Sequence, residues 1–154
     1  KELQYHTKMI NSGRYVNDSM GRYIGKKVVK KIISQGKNIL GAHVLVMGMT
    51  FKENVSDIRN SKVADIINEF KDFGAEVDVM DPFASPLEVL QEYGIRLVER
   101  PGKKYDAVVV AVAHTTYLKL DESYFMSITN EHAVLADVKG VYRGSIHQMI
   151  YWSL

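Results

Sequence analysis

Residues 43–80 alternate between patterns typical of a buried strand and of an amphipathic helix, and this alternation restricts the fold more than any other feature. A nearly continuous apolar run, His43 to Met49, is followed by a loop and by a helical repeat from Ser61 to Gly74. Ala75 to Met80 is a second apolar run, and it ends at Asp81-Pro82, where proline prevents further ladder pairing. A strand, helix and strand of this size predict a right-handed crossover in a parallel sheet.

The same alternation continues as far as residue 137. The sequence predicts two further helices and three further strands, which are Pro86–Tyr93 and Asp121–Ile128, then Ile95–Val98, Tyr105–Ala113 and Ala133–Asp137. Strands that alternate with helices indicate an α/β domain, so we expect a Rossmann-like parallel sheet with helices on both faces. Ligands of such sheets bind beyond the carboxyl ends of the strands. The loops at that edge are 48–60, 81–86, 114–120 and 137–144.

A long amphipathic helix is predicted over residues 14–35, ahead of the first strand. Its apolar stripe consists of residues four apart and their neighbours, namely Val16, Met20, Ile24, Val28, Val29, Ile32 and Ile33. Gly36 ends the pattern. The opposite face carries Arg22, Lys26, Lys27, Lys30 and Lys31, and solvation explains it better than phosphate binding. We expect residues 1–37 to form a linker or dimerisation helix and residues 38–154 to form the α/β domain.

The composition excludes several classes of function. The 154 residues contain no cysteine, which rules out disulfides, thiolate zinc sites and cysteine nucleophiles within this chain. A formal net charge of +2 is too small to indicate a nucleic-acid partner. Apolar runs are well short of the roughly 20 residues of a membrane helix, and no signal peptide is visible, so we expect a cytoplasmic protein. The start at Lys1 without methionine indicates a piece of something longer.

The loop after the first strand reads GMTFKENVSDIRNS, residues 48–61. With one glycine it lacks the G-x-G-x-x-G pattern that lets a backbone approach a pyrophosphate, so NAD binding in the ordinary Rossmann mode is not expected. It offers Lys52 and Arg59 instead, near a helix N-terminus that favours anions. Asp57 would orient Arg59, although a solvated loop with an internal contact between the two explains them equally well. Lys139 adds a third cation at this edge, and three cations favour a ligand with more than one phosphate.

Asp81 and His114 also follow strands that end at this edge. Asp81 lies where a ribose-binding acid would lie, but a turn at Asp81-Pro82 is the preferable explanation. His114 is a candidate base, although a polar residue that caps the next turn explains it somewhat better. The other histidines show no spacing of metal ligands, and no catalytic triad or carboxylate pair is visible. An independent enzyme with His114 as base is therefore the weakest hypothesis.

Three ordered motifs resemble a known family. GMTFKENVSDIRNSK, VDVMDP and ADVKGVY together resemble the C-terminal UDP-sugar-binding domain of the UDP-glucose/GDP-mannose dehydrogenases. Residues 11–24 look like that family's central helix, which joins this domain to an N-terminal NAD-binding domain and forms the dimer contact. The resemblance thus implies a homodimer through the helix 14–35. The form T-F-K-E-N-x-x-D-I-R-N is most similar to the branch that makes UDP-N-acetylhexosamine uronic acids for capsules and O-antigens.

The resemblance also implies roles for individual residues. Phe51 and Lys52 match the pair that contacts the UDP-sugar. Lys139 stands where the family often has a substrate-binding arginine, and Arg59 matches the arginine that reaches the NAD pyrophosphate. The family oxidises the sugar C6 hydroxyl twice with NAD⁺, through a thiohemiacetal on an upstream cysteine. Since this chain has no cysteine, the resemblance implies a substrate-binding half without catalytic residues, and a stand-alone nucleotide-binding or oligomerisation module is the alternative.

Overall fold

Five parallel strands form the centre of the structure, a computed structural model that describes residues 19–154. The strands are β1 His43–Met47, β2 Glu76–Met80, β3 Tyr105–Val110, β4 Thr129–Asp137 and β5 Ile150–Ser153. Their order is β2-β1-β3-β4-β5 and every neighbouring pair is parallel. The chain moves outward from β1 to β2 and then returns to β3 on the other side of β1. The carboxyl ends of β1 and β3 therefore flank the switch point, where open α/β sheets bind ligands.

Helices cover both faces of the sheet, as predicted. The described helices are α1 (residues 19–34), α2 Val63–Asp72, α3 Pro86–Tyr93 and α4 Glu122–Ser127, with a short 3₁₀ turn at Tyr117–Lys119. The first three share one hydrophobic cluster with alternate sheet residues such as Val44 and Val109. α4 and the 3₁₀ turn pack on the opposite face, against Leu45 and Leu135. The first part of the predicted helix 14–35, Val16 included, lies outside the described residues.

The ends of several elements differ from the predictions. β1 stops at Met47 because Gly48, with φ at +99°, turns the chain out of the sheet and packs against Val112. β3 likewise ends at Val110 instead of continuing to Ala113, and β4 begins at Thr129 instead of Ala133. The predicted strand Ile95–Val98 is reduced to one bridge between Leu97 and Val79. β5 was not predicted, because four half-buried residues are too few to establish a period.

Two residues of the predicted apolar stripes are exposed. Ile33 is 51% exposed, whereas Ile32 is fully buried; consecutive helical positions lie about 100° apart, so both cannot face the core. Phe73 is 40% exposed and lies just beyond the last helical residue of α2. The remaining apolar positions from Ile24 onward are buried as predicted.

α1 packs tightly on α2 through two glycines. A Cβ atom added at Gly21 would lie 2.7 Å from the Cβ of Asp65, and one added at Gly25 would lie 2.7 Å from the Cβ of Glu69. The two helices therefore approach almost backbone to backbone, and buried residues of α1 such as Ile24 join the same cluster as the sheet. The division into residues 1–37 and 38–154 stays a prediction.

Asp81 fixes the loop that follows β1. Its side chain is fully buried. Its Oδ2 accepts hydrogen bonds from the amides of Met49 (2.6 Å) and Thr50 (3.2 Å), while Oδ1 accepts from the amides of Phe83 (2.7 Å) and Ala84 (3.0 Å). This geometry agrees with the interpretation of Asp81 as a turn residue.

His114 completes the same arrangement. Its imidazole is fully buried, with Nε2 2.9 Å from Oδ2 of Asp81. The other nitrogen, Nδ1, accepts from the amide of Asn54 at 3.0 Å. Because Nδ1 accepts a hydrogen bond, the proton of the neutral ring lies on Nε2 and points to Asp81. Both nitrogens are engaged, which favours the capping interpretation over a catalytic base.

Gly25→Val tests the close packing of the two helices. The added carbons would collide with the Cβ and Cγ of Glu69, at 2.7 and 2.9 Å from the new Cβ, so the free energy of unfolding should fall by about 1–3 kcal/mol. Urea denaturation would measure the change. Gly102→Val is the matched control, because no atom lies within 4 Å of a Cβ there. Equal losses in both variants would contradict the packing argument.

Asp81 should make stability depend on pH in the acid range. Burial raises the pKa of this carboxyl, but hydrogen bonds from His114 and from the amides of Met49, Phe83 and Ala84 outweigh burial and lower the pKa from 3.8 to about 2. A lowered pKa means that the contribution of the carboxylate is fully present above pH 4 and is lost as the pH falls toward 2.

Between pH 5 and pH 2, Asp81→Asn should therefore lose less stability than the unmodified chain, by about 2 kcal/mol. Urea denaturation at several pH values would measure this difference. Asp72→Asn removes an exposed aspartate at the end of α2 and should keep the pH dependence of the unmodified chain. If the free energy of unfolding falls as steeply with pH in Asp81→Asn as in the unmodified chain, the hydrogen bonds to Asp81 do not stabilise its charge.

Candidate functional site

A cavity of 540 Å³ opens at the switch point of the sheet. Its walls come from the first described residues of α1, from the first turn of α2 and from the loops that follow β1, β3 and β4. Apolar residues line part of it, including Ile24, Val63, Val112 and Val138. Its volume lies within the range of roughly 300–1,000 Å³ that is typical of small-molecule sites.

Phe51 and Lys52 lie at the tip of a tight turn that lines this cavity. Thr50 begins the turn and donates its hydroxyl to the carbonyl of Lys52 at 2.9 Å. Asn54 ends it in a left-handed conformation, with φ at +59°. The side-chain amide of Asn54 pairs with Thr115 in both directions, donating at 2.8 Å and accepting from the Thr115 amide at 2.9 Å. The turn is thereby joined to the loop after β3.

The side chain of Phe51 is left outside the core. It is 58% exposed at the rim of the cavity, although a phenylalanine of this size usually gains stability from burial. An exposed aromatic ring beside a cavity provides a flat apolar surface for a planar or sugar-like ligand.

Lys139 reaches the same cavity from the other side. It lies in the turn after β4, and its Nζ is 4.0 Å from Oε1 of Glu53. Both side chains are substantially exposed, and exposed ion pairs contribute only about 0–1 kcal/mol. An anionic ligand could therefore replace Glu53 as the partner of Lys139. The structure thus brings Lys52 and Lys139 together, as the sequence predicted.

Arg59 lies outside this cavity. Its Nε and Nη2 bind the two carboxylate oxygens of Asp57, each at 3.0 Å, and its own amide donates to the same carboxylate at 2.9 Å. These hydrogen bonds from Arg59 lower the pKa of Asp57 to about 2. The guanidinium is 83% exposed and borders a separate groove beside Glu88 and Glu92 of α3. The predicted contact between Asp57 and Arg59 is therefore present. Of the three predicted cations, Lys52 and Lys139 share the cavity and Arg59 does not.

A lysine and a serine at the start of α2 were not predicted as site residues. Lys62 and Ser61 line the cavity, and Ser61 accepts a hydrogen bond from the amide of Val63 at 3.3 Å. Lys62 therefore adds a third positive charge, next to a helix N-terminus that itself favours anions. The signal was present in the sequence, since Ser61 and Lys62 are the last two residues of the motif GMTFKENVSDIRNSK.

Within residues 19–154, no group of three or more histidine, aspartate or glutamate side chains could hold a metal ion. No helix in this part of the chain is both long and apolar enough to cross a membrane. The cavity instead combines lysines, hydroxyl groups and an apolar wall, which suits a ligand with an anionic part and a less polar part.

The chain is similar to several curated proteins. It is 38% identical over 140 residues to a UDP-N-acetyl-D-glucosamine 6-dehydrogenase of Pseudomonas aeruginosa, covering 90% of this chain and 33% of that protein. It is 37% identical over 142 residues to protein CapL of Staphylococcus aureus, covering 92% of this chain and 33% of that protein. The chain therefore spans about a third of the length of the curated relatives that it matches.

Solved structures agree with this similarity. The UDP-N-acetyl-mannosamine dehydrogenase Cap5O from S. aureus superposes with a TM-score of 0.77 at 25% identity, covering 97% of this chain and 34% of that one. An NDP-N-acetyl-D-galactosaminuronic acid dehydrogenase from Methanosarcina mazei gives 0.79 at 22% identity over 91% of this chain and 30% of the other, which supports the fold. Residues 45–144 match the UDP-binding domain of the UDP-glucose/GDP-mannose dehydrogenase family. As the three motifs predicted, the chain belongs to this family.

Proposed function

We propose that this chain is the UDP-sugar-binding part of an NAD-dependent nucleotide-sugar 6-dehydrogenase. The observation that carries the proposal is the placement of Phe51, Lys52 and Lys139 around one cavity at the switch point of the sheet. The relatives named as UDP-N-acetyl-D-glucosamine 6-dehydrogenases support it. In this proposal the parent enzyme oxidises a UDP-hexose or UDP-N-acetylhexosamine to the uronic acid for a capsule or O-antigen polysaccharide.

The charges of the cavity suit a nucleoside diphosphate. Lys52, Lys62 and Lys139 line it, and the N-terminus of α2 adds the partial positive charge of a helix end. A diphosphate has two anionic groups that these lysines can contact at once, whereas a neutral sugar has none. Phe51 would pack against the less polar part of the ligand.

Arg59 has a different role in this proposal, which is to contact the pyrophosphate of NAD held mainly by the N-terminal domain of the parent protein. Its position outside the cavity and its 83% exposed guanidinium are compatible with a ligand from another domain. Asp57 engages Nε and Nη2, so a phosphate would bind at Nη1 or displace the carboxylate. NAD supplies the hydride acceptor for the oxidation.

The chain itself would bind the sugar nucleotide without oxidising it. A thiohemiacetal intermediate requires a cysteine, and none of the 154 residues is a cysteine. The engaged nitrogens of His114 offer no free base in its place. The catalytic groups would then belong to the remainder of the parent enzyme.

Isothermal titration with UDP-N-acetylglucosamine tests the proposal. We expect weak binding that weakens further with salt, because exposed charges make the contacts. Lys52→Ala should lower the affinity about tenfold, since a hydrogen bond to a charged group contributes about 1.5 kcal/mol or more. Lys30→Ala, on the exposed face of α1, is the matched control and should bind as the unmodified chain does.

Arg59→Ala separates the two ligands in the same experiment. Because Arg59 lies outside the cavity, this variant should keep the affinity for the UDP-sugar. If Lys52→Ala binds the UDP-sugar as tightly as the unmodified chain, the proposed site is wrong. It is also wrong if Arg59→Ala weakens binding as much as Lys52→Ala does.

The proposal also includes a cytoplasmic location and a homodimer through the helix 14–35. Tyr23 and Ile33 are 48% and 51% exposed on the described part of this helix, and the proposal places both in the contact. This exposure also favours the alternative function, an oligomerisation module without catalysis. A dimer that binds no UDP-sugar would support that alternative.

Light scattering should give twice the chain mass of 17.5 kDa. Ile33→Asp should shift the protein toward the monomer, because it places a charge in the apolar contact. Leu87→Asp changes an equally apolar residue that is 62% exposed on α3, and it should leave the mass unchanged. A monomeric unmodified chain would rule out the dimer.

A further inference from the structure

The two loops that carry Lys52 and Lys139 are anchored by side chains that do not line the cavity. Asp81 and His114 hold the first loop through the amides of Met49, Thr50 and Asn54. None of the anchoring side chains of either loop lines the cavity. Their effect on a ligand must therefore act through the lysines that they position.

The Lys139 loop is anchored by Asp137 and Tyr142. The Asp137 carboxylate is fully buried at the end of β4, and its Oδ2 accepts from the amide of Tyr142 at 2.7 Å. The hydroxyl of Tyr151 in β5 donates to the same oxygen at 2.6 Å. The loop thus folds back onto the strand from which it emerges, with Lys139 between its two anchored ends.

Tyr117 connects the two anchors. Its carbonyl accepts a hydrogen bond from the Tyr142 hydroxyl at 2.5 Å, and its amide donates to the carbonyl of His114 at 2.8 Å. Its ring also packs edge-on against the imidazole of His114, with centroids 5.5 Å apart. A continuous set of contacts therefore runs from Asp81 through His114, Tyr117 and Tyr142 to Asp137, and we name these five residues the loop frame.

The two tyrosines of the loop frame are buried. Tyr117 and Tyr142 are each only 4% exposed, and the ring of Tyr142 packs edge-on against Phe125 of α4 at 5.1 Å. The hydrogen bond between the Tyr142 hydroxyl and the Tyr117 carbonyl is buried, and leaving either group without a partner would cost stability. The hydroxyl of Tyr142 is the point at which the Lys139 loop joins the loop that follows β3.

We propose that Tyr142 is a positioning residue that holds Lys139 at the spacing from Lys52 that a nucleoside diphosphate requires. The inference rests on the proposed function. Removal of its hydroxyl frees the Lys139 loop from Tyr117 and replaces none of the residues that line the cavity. The affinity for a diphosphate then falls because the position of Lys139 relative to Lys52 is no longer fixed.

Tyr142→Phe tests this role, and Tyr105→Phe is its matched control, because the buried Tyr105 donates its hydroxyl to Asp78, away from both loops. Each variant loses one hydroxyl group that donates a hydrogen bond from a buried tyrosine, so both melting temperatures should fall by about 2–4 °C. Only Tyr142→Phe should weaken UDP binding in calorimetry, by about threefold. Equal affinities in the two variants would show that the hydroxyl of Tyr142 is merely structural.

A double-mutant cycle with Lys139→Ala sharpens the result. If Tyr142 acts through Lys139, then Tyr142→Phe should have almost no further effect on UDP affinity in the Lys139→Ala background. Additive losses would overturn the positioning role, because they would show that Tyr142 affects the site independently of Lys139.

Hydrogen exchange in the ligand-free chain separates this inference from the proposed function. Tyr142→Phe should speed exchange of the amides at residues 138–143, whereas Tyr105→Phe should not. Unchanged exchange there overturns the positioning role whatever the chain binds. If instead exchange responds as expected but the unmodified chain binds no UDP, the proposed function fails while the anchoring of the loop stands.

Discussion

The buried carboxylate of Asp81 is the interaction on which the arrangement of the site depends. It accepts four backbone amides and faces the Nε2–H of His114. A buried charge is stable only when its hydrogen-bonding capacity is met, so this one residue fixes the positions of the loops after β1, β2 and β3 at once. That arrangement determines the position of the turn that carries Phe51 and Lys52.

The topology of the sheet explains why the cavity lies where it does. The loops after β1 and β3 diverge at the switch point, and α1 and α2 close one side of the gap. Gly21 and Gly25 let α1 approach α2 closely, which sets the width of that side. The helix ahead of the first strand is therefore part of the wall of the site as well as a candidate dimer contact.

The sheet could be predicted from the sequence because apolar periodicity reports burial directly. Pro86–Tyr93 has its predicted ends, since Ser85 caps it and Gly94 ends it in a left-handed conformation. β5 could not be predicted, because a four-residue strand has too little pattern and is defined only by its pairing with β4.

The positions of the candidate residues could be predicted in part, for a related reason. Lys52 and Lys139 could be placed together because both follow parallel strands, whose carboxyl ends meet at one edge. The separation of Arg59 from the cavity could not be predicted, because it depends on the path of a loop that side-chain contacts determine. The hydrogen bonds of the two His114 nitrogens could not be predicted either, because one partner, Asn54, lies sixty positions away in the chain.

The single glycine of the loop after β1 now has a physical explanation. In a glycine-rich phosphate loop the backbone amides point at the ligand. Here the amide of Gly48 donates to Met80, those of Met49 and Thr50 to Asp81, that of Phe51 to Asp57 and that of Asn54 to His114. These five amides are already used within the protein, so they are not available to a phosphate. In the proposed site lysine side chains take the place of such a backbone nest, and contacts between exposed charges weaken as salt is added.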